Sequence, residues 1–123
     1  MQLSKAEEYL MEIIWKNETV FMKDILDSYA DPKPATTTIA TLLKRIQDKG
    51  FVGYTLFGNS RQYYPLIKKK DYFSKQVKGI ISNFFDNSAM QFASFFATST
   101  NLTALELEDL KKIIDEEIKK KKK

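Results

Sequence analysis

The sequence predicts a mostly α-helical protein with one small β-hairpin, and three observations predict it. Apolar residues recur three and four apart, at helical spacing, in six separate stretches. The period changes after Gly50 and returns after Ile67; between them the aromatic and β-branched runs FVGYTLF and RQYYPLI flank Gly58-Asn59-Ser60, a turn composition. Capping boxes open the first and the last of the helical stretches, at Ser4/Glu7 and Thr103/Glu106.

The first helix runs from its Ser4/Glu7 box through Tyr9, Leu10, Ile13 and Ile14 to Trp15. Trp15 reads as a core anchor, because large aromatics at helical spacing usually pack. A short link, Asn17 to Thr19, leads through Val20 and Phe21 into a second helix built on Met22, Ile25, Leu26 and Tyr29. Asp31-Pro32-Lys33-Pro34 then forbids helix: proline lacks an amide donor and biases the residue before it to extended backbone, so a turn is forced.

The third helix, within ATTTIATLLKRIQDKGF at residues 35 to 51, places Ile39, Leu42, Leu43 and Ile46 on one side of the cylinder. Opposite lie Thr37, Thr41, Lys44 and Asp48, with Thr38 and Arg45 on a shoulder, and Gly50 stands where a C-cap glycine stops a helix. A face chosen for solubility would favour Glu, Lys, Gln and Ala, since β-branched threonine loses rotamer freedom in a helix. Short hydroxyl and methyl groups suit the floor of a DNA major groove, where they reach base edges, thymine methyls and phosphate oxygens without filling the space. The plainer reading makes Thr36 or Thr37 an N-cap and the threonine face an ordinary solvated surface.

Two helices joined by a tight break, the second with a polar and basic outer face, describe a helix-turn-helix. A hairpin directly after it makes the arrangement a winged helix, with the hairpin loop, residues 57 to 62, on the sugar-phosphate backbone. Candidate DNA contacts are therefore Thr36, Thr37, Thr38, Thr41, Lys44 and Arg45 on the helix, and Asn59, Ser60 and Arg61 at the loop. Arg61 is the natural phosphate or minor-groove contact; its alternative role is a solvated turn charge.

From Lys68 the chain is helical again. Asp71 is placed to cap a helix whose apolar positions are Phe73, Val77, Ile80, Ile81 and Phe84; a shorter helix follows on Ala89, Phe92, Ala93 and Phe96, with Phe95 beside the stripe. The last helix has Leu102 and Leu107 as a hydrophobic staple and Leu107, Leu110, Ile114 and Ile118 as its stripe, Ile113 adjoining. Six of the nine phenylalanines lie between Phe73 and Phe96, more apolar surface than three short helices bury among themselves. A homodimer packing two copies together answers this, with Phe84, Phe85, Phe92, Phe95, Phe96, Leu107, Leu110, Ile113, Ile114 and Ile118 as the dimerisation candidates. The division expected is a winged-helix domain over 1–67 and a helical dimerisation region over 68–123, ending in a solvated, fraying lysine tail, Lys119 to Lys123.

Composition narrows the function. The 123 residues contain neither cysteine nor histidine, which removes disulfides, thiolate nucleophiles, imidazole acid-base chemistry and the usual transition-metal sites. Only 4 glycines are present, with no glycine-rich phosphate loop or nucleophile elbow, so an enzyme is the least supported class and no cofactor is expected. The formal charge of +4 is unevenly placed: residues 1–32 hold three lysines against seven acids, whereas residues 33–67 hold Lys33, Lys44, Arg45, Lys49 and Arg61 against Asp48 alone. The positive window coincides with the threonine helix and the hairpin, where a DNA-contacting surface needs cations. No apolar run approaches the roughly 20 residues that span a bilayer and no signal-peptide layout opens the chain, so a cytoplasmic location without membrane insertion is expected.

LSKAEEYLMEIIW, TIATLLKRIQDKGF, RQYYPLI and NLTALELEDLKKII, in that order and spacing, resemble the BlaI/MecI-type penicillinase repressors over nearly the whole chain. The resemblance implies a homodimeric winged-helix transcriptional repressor of bacterial type, binding an inverted-repeat operator, with Thr37, Thr38, Thr41 and Arg45 in the recognition helix and Arg61 in the wing. It also implies induction through a membrane-bound β-lactam sensor protease and cleavage in the dimerisation region. Two departures stand out. The Asn-Phe bond cut in the best-known members falls near Phe95-Phe96, where no Asn precedes Phe96 here, and the nearest Asn-Phe pair is Asn83-Phe84. Ala40 occupies a position where members carry a longer, often basic, side chain, and copper sensing through a cysteine cluster is excluded. Two rival readings keep the fold: a ligand-responsive regulator with a pocket lined by the 73–96 region, and a protein-interaction module that binds no DNA.

Overall fold

A computed structural model describes residues 2 to 122; Lys123, the end of the expected lysine tail, lies outside the described residues. The elements are α1 (Lys5–Asn17), α2 (Met22–Ser28), α3 (Thr36–Asp48), β1 (Val52–Phe57), β2 (Ser60–Pro65), α4 (Lys69–Phe84), α5 (Ala89–Ser99) and α6 (Ala104–Lys121). The chain forms two compact units, Met1–Ser74 and Lys75–Lys123, which meet within α4.

The N-terminal unit is built around one apolar core. Leu10, Met11 and Ile14 of α1, Ile25 of α2 and Ile39, Leu43 and Ile46 of α3 are essentially inaccessible, and Val20, Phe51, Val52, Tyr63 and Tyr72 close the cluster. Each such aliphatic side chain contributes roughly 1.5–3 kcal/mol by leaving water, so the helical stripes read in the sequence are what hold the three helices together. Trp15 packs against this core half-buried, and its indole N–H donates to the Ile67 carbonyl at 2.8 Å.

At the start of α1 the Ser4 hydroxyl accepts the Glu7 amide (3.2 Å) while the Glu7 carboxylate accepts the Ser4 amide (2.7 Å). Glu7 is only 2% exposed, and the same carboxylate oxygen accepts Lys49 Nζ at 2.7 Å. Burial alone would raise the Glu7 pKa, but the bonds from Lys49 and Ser4 outweigh it and hold the carboxyl below its ordinary range. Lys49 also donates to the Gln2 carbonyl (3.1 Å), so the end of α3 is tied to the beginning of α1.

The N-cap of α3 is Ala35, not Thr36 or Thr37; both threonines lie inside the helix. Ala35 itself takes the extended backbone of a cap (φ −66, ψ 147), and no side chain bonds to the first amides. At the other end Gly50 (φ +83) follows the C-cap Lys49: the Gly50 amide donates to the Gln47 carbonyl and the Phe51 amide to that of Ile46, both at 2.9 Å. These are the two bonds of a Schellman motif, whose C′ residue needs the left-handed backbone that glycine adopts without cost.

β1 and β2 pair antiparallel from Val52↔Pro65 to Phe57↔Ser60. Only Gly58 and Asn59 remain for the turn, with Gly58 at φ +62, so Ser60 and Arg61 belong to β2 and not to a longer loop. Turn composition overran the turn because serine is common in loops but also tolerates the first rung of a ladder. Val20 adds a bridge to Tyr63 through two backbone bonds of 2.9 and 2.7 Å.

α4 begins at Lys69, so Asp71 lies in its first turn and does not cap it; the Tyr72 amide bonds back to the Lys68 carbonyl. Tyr72 is buried in the N-terminal unit, where its hydroxyl donates to the Glu8 carboxylate at 2.6 Å and accepts the Leu3 amide at 3.3 Å. Burial and that carboxylate push its pKa up to about 12.

In the second unit Phe85 packs against Phe92 and Phe95, with ring centroids 5.5 and 5.4 Å apart. Thr103 and Glu106 form the expected capping box at the start of α6. α6 continues through Lys121, so Lys119–Lys121 form a helical last turn rather than a fraying tail, where ammonium groups suit the helix's negative end. No described residue of α5 or α6 is fully buried.

Candidate nucleic-acid interface

Because Ile39, Leu42, Leu43 and Ile46 are buried, α3 is fixed in rotation, and Thr36, Thr37, Thr38, Thr41, Lys44 and Arg45 are all exposed on its open side. Ala40 is exposed among them. The Thr41 hydroxyl donates to the Thr37 carbonyl at 3.0 Å. That bond parks its proton on the helix and leaves the methyl group and an oxygen lone pair facing out.

The basic window divides once partners are assigned. Lys33 Nζ donates to the carbonyls of Leu26 (3.1 Å) and Tyr29 (2.8 Å), ending α2 as a cationic cap. Lys49 is committed to buried Glu7. Lys44 lies 3.3 Å from Asp48 in an exposed i,i+4 pair, which holds it only weakly. Arg45 and Arg61 have no ion-pair partner among the described residues, so the window's free positive charge sits on α3 and on the hairpin. Arg61 lies opposite Leu56 in the ladder, its guanidinium 4.3 Å from the centroid of the Tyr54 ring. Tyr54 escaped the sequence reading because its role depends on strand register; counting a two-residue turn would have revealed it. Asn59 sits at the turn itself and Ser60 pairs with Phe57, both exposed.

The candidate dimerisation residues lie elsewhere. Phe84, Phe95, Phe96, Leu107, Ile113, Ile114 and Ile118 are exposed, Phe84 to 77%, while Phe85, Phe92 and Leu110 are half-buried. Phe95-Phe96 lies in the middle of α5, whereas Asn83-Phe84 ends α4 next to an irregular turn with Asp86 and Asn87 at positive φ. A cleft of about 880 Å3 opens in the N-terminal unit, bordered among others by Tyr9, Trp15, Lys16, Lys68 and Lys69; none of its lining residues comes from the 73–96 region. Among the described residues no acidic group is placed to hold a metal ion, and no helix is long and apolar enough to cross a membrane.

A helix-turn-helix whose second helix turns a polar face outward, followed at once by an antiparallel hairpin, defines the winged-helix class. Residues 3–116 match the penicillinase repressor family, and the chain belongs to it. The family is one of transcriptional repressors, not of enzymes. The chain is similar to a penicillinase repressor of Bacillus licheniformis, 25% identical over 122 residues that cover 98% of this chain and 95% of that one. It is similar also to the methicillin resistance regulatory protein MecI of Staphylococcus aureus strain N315, 27% identical over 115 residues covering 93% and 94% of the two chains. Among solved structures it resembles the DNA-binding domain of the repressor BlaI, at a TM-score of 0.51 and 29% identity, over 58% of this chain and 88% of that domain.

Proposed function

We propose that this chain is a homodimeric transcriptional repressor that binds an inverted-repeat DNA operator. The observation that carries the reading is α3, whose four buried aliphatic residues aim Thr37, Thr38, Thr41, Lys44 and Arg45 away from the core, immediately before a hairpin bearing an unpaired arginine. The names of the relatives, a penicillinase repressor and a methicillin resistance regulator, and the likeness to a repressor's DNA-binding domain support it. Each protomer lays α3 in a major groove, threonine methyls against thymine methyls and hydroxyls against base edges, with Arg45 and Arg61 on guanine or phosphate. Two-fold symmetry then sets half-sites about 10–10.5 bp apart, or a multiple of that.

The second protomer is called for by the helical unit. Its apolar side chains, Phe84, Phe95, Phe96, Ile113, Ile114 and Ile118 among them, are left in water in a single chain, and a second copy of the same helices covers them. Pairing makes the second half-site effectively intramolecular, so an inducer need only separate the protomers. A membrane sensor protease that cuts this unit would do so. Asn83-Phe84, exposed at the end of α4, is the more accessible bond, since cleavage at Phe95-Phe96 requires α5 to unwind. The deciding experiment is fluorescence anisotropy with the duplex upstream of the protein's own gene and a scrambled control, across several salt concentrations. Tight binding to the first duplex with a steep salt slope is the expected result. Equal and weak binding to both duplexes overturns the reading.

A further inference from the structure

The tip of the hairpin carries two apolar side chains that the protein's own interior leaves uncovered: Leu56 is 62% exposed and Phe57 54%. A tip facing only water is ordinarily polar. Phe57 is steadied from behind by an edge contact with Phe21, ring centroids 5.9 Å apart, whereas Leu56 stands beside Arg61, its partner in the ladder. Arg61 is in turn held over the Tyr54 ring, so cation and aliphatic side chain share one rung at a defined separation. Between Asp48 and Asp71 the sequence contains no carboxylate at all, and Arg61, the one charged residue of the hairpin, has no ion-pair partner among the described residues. An apolar tip on an acid-free, cationic hairpin matches a polyanion with an apolar lining better than it matches a protein surface of mixed charge.

We propose that Leu56 is an apolar wedge for the DNA minor groove, with Arg61 gripping the adjoining phosphate or the groove floor. The inference rests on the reading of the chain as a DNA-binding repressor and adds a second point of sequence discrimination to α3. The minor groove is about 6 Å wide, and its base edges tell A·T from G·C but little else. A narrow A·T-rich groove concentrates negative potential for an arginine, and a wedge between base steps prefers the easily unstacked pyrimidine–purine steps. The hairpin would therefore select groove width and step flexibility flanking the bases that α3 reads.

Salt separates the two components. Apolar contact releases no counterions, whereas each neutralised phosphate adds about 0.9 to the log–log salt slope. Anisotropy with the full-length protein and the upstream duplex is to be run on the unsubstituted chain, Leu56→Ser, Leu56→Met and Arg61→Gln. Leu56→Ser is expected to weaken binding on the order of tenfold with the slope unchanged. Leu56→Met is expected to restore binding, and Arg61→Gln to lower the slope by about 0.9 for each protomer, about 1.8 for the bound dimer. Selective binding by the unsubstituted chain with Leu56→Ser indistinguishable from it, or Leu56→Ser altering the slope as Arg61→Gln does, overturns the wedge alone. Absence of selective binding by the unsubstituted chain overturns the repressor reading and the wedge together.

Discussion

Glu7 and Lys49 show how a single residue acts in two capacities. Glu7 reads in the sequence as the second half of a capping box, and it is that; it is also the buried end of an ion pair spanning 42 positions of chain. Lys49→Met would leave the carboxylate buried without its cation, and a loss on the order of 3 kcal/mol is expected in urea unfolding at neutral pH. The pH dependence has a definite sign. The folded-state pKa of Glu7 is depressed, so its stabilisation is complete above the unfolded value near 4.3 and is lost as pH falls through the folded value. The gap between parent and Lys49→Met should narrow below that point; an equal gap at pH 7 and pH 3 would count against the pair. On the open face of α3, Thr41→Ala should weaken operator binding by roughly 1–3 kcal/mol if the outward methyl and lone pair contact a base, with binding to scrambled duplex nearly unchanged. An equal loss on both duplexes would reject the base contact.

At the scale of elements, boundaries follow from local chemistry more faithfully in helices than in the hairpin. Gly50 reads as a stop signal and ends α3 through both Schellman bonds. No atom lies within 4 Å of where a Cβ would stand at Gly50, so Gly50→Ala should cost only the backbone strain of a left-handed alanine, roughly 1 kcal/mol, as a lower urea midpoint at constant slope. A larger loss, or a change in slope, would mean the motif does more than end a helix. Ser60 and Arg61 defeated turn composition because a residue's presence in a loop is a statistical tendency, whereas its place in a ladder is decided by pairing across the strands. Helix α3 starts at Thr36 as its sequence suggests, but the plainer reading of a threonine N-cap fails: Ala35 itself holds the extended cap backbone, which leaves both threonines inside the helix.

For the whole molecule, the N-terminal unit closes on itself and the helical unit does not. The first has an apolar core that takes in residues from Leu3 to Tyr72; in the second even Phe96 remains over a third exposed. Phe96→Asp should therefore yield monomers in analytical ultracentrifugation and weaken operator binding by orders of magnitude, because each protomer must then find its half-site alone. Persistent dimers would place the interface elsewhere. The cleft of the N-terminal unit lies among α1, Pro65 and the start of α4, and so is distinct from the 73–96 aromatics that the ligand-responsive alternative invokes.

Periodicity alone determined the six helices, the core face of α3 and hence the set of side chains that α3 turns outward, because burial of a stripe with helical spacing leaves a helix one rotational setting. It determined too that this outward set is threonine-rich and basic. Only the tertiary structure decided which cations remain free. Lys33 and Lys49 look like DNA-facing charge in a linear window, yet one ends α2 and the other is spent on buried Glu7, which leaves Arg45 on α3 and Arg61 on the wing. Charge counts add along a sequence, but ion pairs and helix caps form across space, and so partner assignment had to await the fold.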